Sequence, residues 1–252
     1  MRFFFLREEP ASALGAWRPP SELDQHLRAL RFRAGESLLL IRPGGEAIQA
    51  IYSGSGTLSL LGPCEPPHLP LLPVALATAW PKGSRADDLM TRPAEAAVER
   101  ILPLDCARSV VGRDELSPRR WDRWERILRE TCQQSGLSKL PLLDRTAVPL
   151  REVLKAMPDA DAIALMPGGR PLQQELERRQ PQSVLLIVGP EGGFSPEEEE
   201  WMRDAGIGSA GLLPNLLRIE SAGPFAAGIC QHHFMARGAH DEPSQPRSRK
   251  ET

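Results

Sequence analysis

The sequence predicts an α/β protein preceded by a small β-rich region, and three features carry this prediction. Residues 1–61 contain short apolar runs separated by glycine and proline turns. Residues 62–70, GPCEPPHLP, hold four prolines in nine positions, which is typical of a linker because proline interrupts a sheet interior. From residue 71 onward, apolar strands alternate with helices, the pattern of a parallel α/β domain. We therefore predict domains at 1–70 and 71–237 and a disordered polar tail at 238–252.

The first domain is predicted to be a small β-barrel. Its strand-like segments are rich in aromatic and branched apolar residues and are separated by glycine turns, including Pro43-Gly44-Gly45. Between the first two segments, a short helix or turn begins at Ser21 and ends at Gly35. The predicted strands are 2–6, 36–42 and 46–54.

The second domain contains the clearest helix of the chain, at 117–136. Ser117 is its predicted N-cap, Pro118 its first residue and Gly136 its terminator. The apolar stripe of this helix consists of Trp121, Trp124, Leu128 and Cys132. The other predicted elements are strands at 71–80, 100–107, 161–168, 183–190 and 209–214, and helices at 86–98 and 221–236.

Composition excludes several classes of protein. No apolar run reaches the roughly 18 residues that a membrane span requires, and the opening MRFFFLREEP is charged too early for a secretory signal. The four cysteines are scattered without a CxxC pair, which argues against a metal site and a disulfide framework. The net charge of −2 alone does not indicate a nucleic-acid partner, although nearly all the basic residues are arginine. We expect a soluble cytoplasmic protein.

The strongest chemical signal is SVLLIVGPEGGFSPEEEE, residues 183–200. A buried strand leads into a glycine-rich turn, and a helix follows with Ser195 as N-cap and Glu198 placed for a capping box. The turn matches no phosphate-binding motif, and Glu191 with the carboxylates beyond it would repel a polyphosphate. A cationic or hydroxyl-rich ligand is favoured, and a sulfonium cofactor with a ribose fits. The alternative is an ordinary turn before a helix whose acidic first turn suits the helix dipole.

Two further segments carry candidate functional residues. In GLLPNLLRIESAG, residues 211–223, Arg218 and Glu220 follow a strand and precede a helix capped by Ser221; a solvated surface loop is the alternative. In HLRALRFRAGE, residues 26–36, basic side chains could bind RNA phosphates. The alternative is a run of charged residues that is exposed to solvent and binds no partner. The arginines of helix 117–136 could also contact RNA, and ion pairing within the helix is the alternative. The candidate RNA-binding residues are His26, Arg28, Arg31 and Arg33.

From MRFFF to about Ala236, the chain resembles the bacterial 16S ribosomal RNA uridine N3-methyltransferases of the trefoil-knotted SPOUT class. The GPEGGF sequence is highly specific for this family, and the matching segments occur in the family's order. These segments are HLRALRFRAGE (26–36), PKG (81–83), RILPLDCARSVV (100–111), QQSG (133–136), VGPEGGFSPEE (188–198) and LPNLLRIESA (213–222).

The resemblance implies a PUA-like barrel that binds RNA and a knotted α/β domain that binds S-adenosylmethionine. It also implies a homodimer in which the knot region forms both the cofactor site and the interface. The implied reaction is methylation of a uracil N3 in 16S ribosomal RNA of the small ribosomal subunit. The residues implied to bind the cofactor are Leu165, Met166, Pro167, Val188, Gly189, Pro190, Glu191, Gly192, Gly193, Leu212, Leu213 and Leu217.

The chemistry assigns roles to two residues. Uracil N3 carries a proton that must leave, so a fixed positive charge near the ring would stabilise the developing anion, and Arg218 is the candidate. Glu220 would orient Arg218 or the target base. Leu213 and Asn215 flank Pro214 where the family usually has Gly and Arg, which motivates the alternative of a catalytically weakened RNA-binding homologue. A second alternative is an unrelated α/β enzyme that uses another nucleotide cofactor.

Overall fold

The computed structural model of the chain describes residues 2–54, 56–81, 85–109 and 118–241. The chain divides into two compact units, one formed by Met1–Leu69 with Arg129–Leu140, the other by Pro70–Leu128 with Pro141–Thr252. The contiguous domains predicted at 1–70 and 71–237 differ from this division, because the end of the long helix and the turn after it group with the first unit.

The first unit contains an open five-stranded sheet. The strand order is β1-β3-β4-β5-β2, with β1 parallel to β3 and the other pairs antiparallel. Its apolar core includes Leu38, Leu40 and Ile48 from the strands and Leu27 from the helix. The elements are β1 (Arg2–Phe5), β2 (Leu14–Trp17), α1 (Ser21–Ala29), β3 (Ser37–Ile41), β4 (Ala47–Gly54) and β5 (Thr57–Cys64).

The predicted barrel is not confirmed, because the sheet is open and ends in β1 on one side and β2 on the other. Helix α1 buries Leu27 completely among the strand side chains, so it covers the core where closure would otherwise be needed. Strand β5 also extends through Gly62–Cys64 into the predicted linker. Proline is tolerated there since β2 pairs only with the part of β5 up to Leu61.

Helix α1 differs from its predicted limits. Ser21 is the first helical residue, Pro20 occupies the N-cap, and no side chain caps the helix. The helix ends at Ala29 rather than Gly35, and the left-handed backbone of Arg31 (φ 56°) follows it. Strand β2 was not predicted, and its residue Gly15 has a φ of 93°, which is atypical of a strand.

The second unit is built on a parallel sheet with the order β12-β10-β11-β6-β7-β8, and the short β9 pairs with β7. The central strand β11 is buried along its whole length, as predicted for a strand covered on both faces. The elements are β6 (Val74–Thr78), α2 (Arg85–Glu95), β7 (Arg100–Asp105), α3 (Pro118–Ser135), β8 (Leu142–Leu143), β9 (Val148–Pro149), a 3-10 turn (Leu150–Glu152), α4 (Val153–Ala156), β10 (Asp161–Pro171), α5 (Leu172–Arg179), β11 (Val184–Val188), α6 (Pro196–Asp204), β12 (Gly208–Gly211) and α7 (Ile219–Asp241).

The predicted alternation of strands and helices is confirmed, with changes at the ends of elements. All four residues of the predicted apolar stripe of α3 are buried, and Gly136 follows the helix with a φ of 78°. The predicted cap Ser117 lies outside the described residues. Helix α7 begins at Ile219, so Ser221 is inside its first turn, and the helix continues to Asp241. The predicted tail is therefore wrong for 238–241, while 242–252 lies outside the described residues.

Three of the four cysteines are buried, and Cys64 is half-buried. Burial raises the pKa of the Cys106, Cys132 and Cys230 thiols to about 12, so these groups stay protonated and unreactive at neutral pH. No helix in the described part of the chain has the length and apolar character to cross a bilayer. Among the same residues, no group of three or more histidine, cysteine or acidic side chains is arranged to hold a metal ion.

A buried carboxylate joins α5 to its surroundings. Glu175 accepts hydrogen bonds from Arg178 Nη2 at 2.6 Å and from Arg179 Nε at 2.7 Å. Arg179 also donates to the Asp161 carboxylate in β10 and to the Gly206 carbonyl before β12. The hydrogen bond from Arg178 is the main reason that the pKa of Glu175 falls to about 2. This network holds α5 against the edge of the sheet that carries β10 and β12.

We predict that Glu175→Gln removes stability that depends on pH. The depressed pKa means that the stabilisation is complete above the ordinary glutamate pKa of 4.5 and is lost as the pH falls from 4.5 toward 2. At pH 7 the variant should lose on the order of 1–3 kcal/mol of unfolding free energy, and near pH 3 the difference should shrink. Urea unfolding at both pH values checks this, with the exposed Glu177→Gln as the control. An equal loss at both pH values would contradict it.

Candidate active site

The second half of β10 and the segments that follow β11 and β12 lie side by side at one edge of the parallel sheet. The sequence left open whether the strand at 209–214 neighbours the strand at 183–190; in the structure β10 lies between them. Because all three strands are parallel, their carboxyl ends open on the same edge, where α/β sheets bind small molecules. All the residues predicted to bind the cofactor lie at the ends of these strands or in the segments just after them.

The turn after β11 is closely packed around a phenylalanine. A Cβ added to Gly189 would lie 2.9–3.1 Å from three atoms of the Phe194 ring, so only glycine fits against this buried side chain. Gly193 has a φ of 69° and donates a backbone hydrogen bond to the Pro190 carbonyl. The predicted capping box is confirmed, since Ser195 Oγ accepts from Glu198 N–H and Glu198 accepts from Ser195 N–H. Glu191, Gly192 and Gly193 remain exposed.

Within β10, the chain leaves its pairing with β12 and then returns to it. Leu165 pairs with Ala210 in β12, and Arg170 pairs with the same residue, so residues 166–169 form an excursion between the two pairings. A Cβ on Gly169 would lie 2.7 Å from the Ala210 carbonyl carbon and 2.8 Å from the Gly211 nitrogen. This contact between backbones holds the second half of β10 against the end of β12.

Two arginines contact the glycine-rich turn. Arg108, from the loop after β7, donates through Nη1 to the Gly192 carbonyl at 2.7 Å and to the Phe194 carbonyl at 3.0 Å. Arg85, at the start of α2, lies with Nη2 3.5 Å from Glu191 Oε1. The prediction that this turn would repel a polyphosphate rested on its acidic residues without these two arginines, and charge alone does not exclude phosphates from the turn. Both arginines come from other strand ends at the same edge of the sheet.

The predicted catalytic pair lies at the start of α7. Arg218 is exposed and its Nη1 lies 4.0 Å from Oε1 of Glu220, which is buried to 3% exposure. The next residue, Ser221, accepts a hydrogen bond at 2.7 Å from Nη1 of Arg92 in α2. The structure thus brings Arg218 and Glu220 together and adds Arg92, a residue absent from the sequence prediction.

The candidate RNA-binding residues lie in the first unit, on α1 and the turn after it. All four are exposed. Arg28 pairs with Asp24 at 2.9 Å, and the His26 ring contacts Phe4 edge-on with centroids 5.4 Å apart. In the second unit, two charged residues of α3 form ion pairs with other elements, Arg123 with Asp87 and Glu125 with Arg145.

The chain matches the RNA methyltransferase domain family over residues 67–231. It belongs to this family. Within it, the chain is 28% identical over 214 residues to ribosomal RNA small subunit methyltransferase E of Mycobacterium bovis, a match that covers 79% of each chain. The protein of the same name from Bacillus subtilis is 27% identical over 163 residues, which cover 61% of this chain and 63% of that protein. The predicted family resemblance and enzyme class are therefore confirmed.

Solved structures support the same relationship for this RNA methyltransferase. Ribosomal RNA small subunit methyltransferase E from Neisseria gonorrhoeae, bound to S-adenosylmethionine, superposes with a TM-score of 0.74 at 26% identity, covering 92% of this chain and 97% of that chain. A putative methyltransferase from Legionella pneumophila, also in complex with this cofactor, gives a TM-score of 0.71 at 25% identity and covers 91% and 96%.

The sequence did not predict that Arg85, Arg92 and Arg108 of this RNA methyltransferase lie at the candidate site. A signal for Arg108 was present, because it follows directly after a predicted strand, and the carboxyl ends of parallel strands share one edge. Arg92 gave no such signal, since its contact with Ser221 joins residues 129 positions apart in the sequence.

Proposed function

We propose that this enzyme transfers the methyl group of S-adenosylmethionine to N3 of a uracil in 16S ribosomal RNA of the small ribosomal subunit, in the cytoplasm. The observation that carries the proposal is the meeting of three segments at one sheet edge, next to Arg218 and Glu220. Family membership and the cofactor-bound Neisseria relative support it. When bound, the sulfonium supplies an electrophilic methyl group.

The residues at this edge suit that cofactor. Glycines in the turn after β11 let a ligand approach the backbone closely, and the exposed Glu191 offers acceptor oxygens to ribose hydroxyls. The half-buried Leu165 and Met166, with Pro167, provide apolar surface for an adenine ring, and the backbone from Leu212 to Leu217 completes the site. We assign cofactor binding to these residues, to Val188, Gly189, Pro190, Gly192 and Gly193, and to Leu213.

We assign to Arg218 the stabilisation of the negative charge that develops on the reacting base. Uracil becomes anionic as its N3 proton leaves, and a guanidinium near the ring oxygens stabilises that charge more than it stabilises the neutral base. The Glu220 carboxylate, 4.0 Å from Arg218 Nη1, restricts the direction in which this flexible side chain extends.

The three segments are proposed to form the trefoil knot of the SPOUT class. Strand β12 lies at one end of the sheet, yet helix α7, which follows it, packs against the central strands β11 and β6. Residues 212–218 must therefore pass the carboxyl end of β10, where residues 166–169 leave the sheet. This crossing supports a knotted connection.

The first unit is proposed to be a PUA-like RNA-binding unit, built on an open sheet. His26, Arg28, Arg31 and Arg33 would contact phosphates, since exposed arginines release counterions from RNA when they bind it. Their placement on one short helix and the turn after it supports this assignment.

The enzyme is proposed to act as a homodimer. Phe225 and Met235 are exposed on α7 to 46% and 62%, and Leu213 and Leu216 are exposed in the segment before it. Phe225, Gly228, His232 and Met235 recur every three or four residues, so they form one stripe along the helix. An exposed stripe that carries two large apolar side chains favours contact with a second copy.

We predict that the double variant Phe225→Glu/Met235→Glu is monomeric where the wild type is dimeric, because two buried charges at an interface oppose association. Light scattering after size-exclusion chromatography measures the mass directly. Leu142→Glu, at an exposed leucine in β8, is the matched control and should remain dimeric. A wild type that is monomeric at all concentrations would contradict the assignment.

We predict that Arg108→Ala weakens cofactor binding by about 10- to 100-fold. The reason is that Arg108 holds two carbonyls of the turn with charge-assisted hydrogen bonds, each contributing about 1.5–3 kcal/mol before the turn relaxes. Calorimetry with S-adenosylmethionine measures the effect. Arg203→Ala, at an exposed arginine in the last turn of α6, should bind like the wild type. Equal affinity of the two variants would show that the turn does not need Arg108.

The proposed function is tested by methyl incorporation. Small ribosomal subunits that lack the modification are incubated with the enzyme and tritiated S-adenosylmethionine, and the RNA is digested for nucleoside mapping. We expect one labelled 3-methyluridine in the 16S RNA. Cofactor binding without incorporation would instead identify an RNA-binding homologue with weakened catalysis, which Asn215 motivates. Label in a different nucleoside would replace the assigned target.

A further inference from the structure

Glu220 has a buried oxygen without a partner. Its side chain is only 3% exposed, and among the described residues no group donates a hydrogen bond to Oε2. An unsatisfied buried acceptor is costly, so a native structure normally retains one only where a ligand, an ion or a chemical role uses it. The carboxylate therefore has one buried oxygen whose capacity to accept a hydrogen bond is unused.

The surroundings of this carboxylate limit which donor can bind that oxygen. The charged groups near it are Arg218 before α7, and Arg92 and Asp88 of α2, where Arg92 binds Ser221 and lies 3.5 Å from Asp88. Strand β6 presents an apolar face to this turn, with Leu76 against Gly223. The next titratable side chains along α7 are Cys230, His232 and His233, which lie roughly 15–20 Å further along the helix. One guanidinium, that of Arg218, thus lies beside the carboxylate, and a second, that of Arg92, is held at the neighbouring Ser221.

The imide edge of uracil complements this arrangement. It presents an acceptor oxygen, the N3–H donor and a second acceptor oxygen in a row. Arginine donors suit the two oxygens, and an unpaired carboxylate oxygen suits the N–H between them. Cytosine carries no hydrogen on N3, so it would place a lone pair against the carboxylate.

We propose that Oε2 of Glu220 accepts the N3 proton of the target uracil and thereby selects an imide base; this deepens the proposed function and rests on it. The N3–H bond breaks, the proton passes to the carboxylate, and the electron pair stays on nitrogen. That pair forms the bond to the methyl carbon as the carbon's bond to sulfur breaks, which leaves the sulfur neutral. Arg218 stabilises the ring anion between these events.

The test uses a substrate whose N3–H group is more acidic and therefore depends less on a general base. Small subunits are reconstituted with 16S RNA transcribed with either uridine or 5-fluorouridine, because fluorine at C5 withdraws electrons and makes N3–H more acidic. Methylation rates of the wild type, Glu220→Gln and Glu220→Asp are measured by nucleoside mass spectrometry across pH. Calorimetry with S-adenosylmethionine reports whether each variant keeps its cofactor site, and Glu200→Gln, on the exposed face of α6, is the control.

We expect Glu220→Gln to lose about 10²- to 10⁴-fold in rate on uridine RNA while retaining cofactor affinity. On fluorinated RNA, and with rising pH, the variant should recover at least about tenfold relative to the wild type, and Glu220→Asp should keep partial activity. An equal loss on both RNAs at every pH would overturn the assignment and leave Glu220 with an orienting role only. A wild type that methylates neither RNA would overturn the proposed function itself.

Discussion

Arg218→Ala is expected to abolish methyl transfer while leaving cofactor binding nearly unchanged. The guanidinium is 77% exposed, and its Nη1 lies 4.0 Å from Oε1 of Glu220, which is a long distance for an ion pair. Removal of the Arg218 side chain should therefore not disturb the fold. Its effect is confined to the reacting base, where a preorganised charge contributes about 3–4 kcal/mol, or 10²- to 10³-fold in rate. Single-turnover methylation and calorimetry measure the two quantities separately.

The matched control for Arg218 is Arg203→Ala, which removes an exposed arginine from the end of α6. Arg218→Lys should recover little activity, because a single ammonium does not reproduce the planar donor pair of a guanidinium. Unchanged turnover in Arg218→Ala would rule out the assigned role. A parallel loss of cofactor affinity would place Arg218 in the cofactor site instead.

Gly169→Ala is expected to damage both the fold and the cofactor site. The new Cβ would meet backbone atoms of Ala210 and Gly211 at 2.7–2.8 Å, and a backbone cannot rotate away as a side chain can. Overpacking of this kind costs about 1–3 kcal/mol, and we expect the upper end or more since two strands must separate. The same separation should weaken S-adenosylmethionine binding by at least about tenfold, because the second half of β10 and the end of β12 would move apart.

Thermal unfolding and calorimetry check the Gly169 prediction together. Gly44→Ala is the control, because nothing lies within 4 Å of its added Cβ and its backbone is not left-handed. The control should unfold within a few degrees of the wild type. A Gly169→Ala protein with normal stability and affinity would show that these backbones are not held together in solution.

The sequence predicted the features of the fold that depend on local patterns. The central strand β11 is an uninterrupted apolar run, and the cap of α6 is specified by Ser195 and Glu198 only three residues apart. Both signals are complete within one segment of chain. Arg218 and Glu220 were proposed from a single segment as well, and the structure places their side chains 4.0 Å apart.

Features that depend on tertiary contacts were not predictable in this way. The open sheet of the first unit results from α1 covering the core, which no single segment reveals. Arg85 and Arg108 reach the glycine-rich turn from other strand ends. The acidic residues near Glu191 in the sequence therefore did not predict the total charge around the turn. The unpaired oxygen of Glu220 is visible only once every neighbour is in place.

Calorimetric titration of the wild-type protein with S-adenosylmethionine, and in parallel with ATP, tests the central claim most directly. If the turn from Gly189 to Phe194 is a sulfonium-cofactor site, S-adenosylmethionine should bind with a dissociation constant of about 1–100 µM, and ATP should give no heat of binding. Gly189→Ala, which forces Phe194 out of position, should abolish the heat of binding. Tight ATP binding at this turn, or no heat with S-adenosylmethionine, would contradict the account.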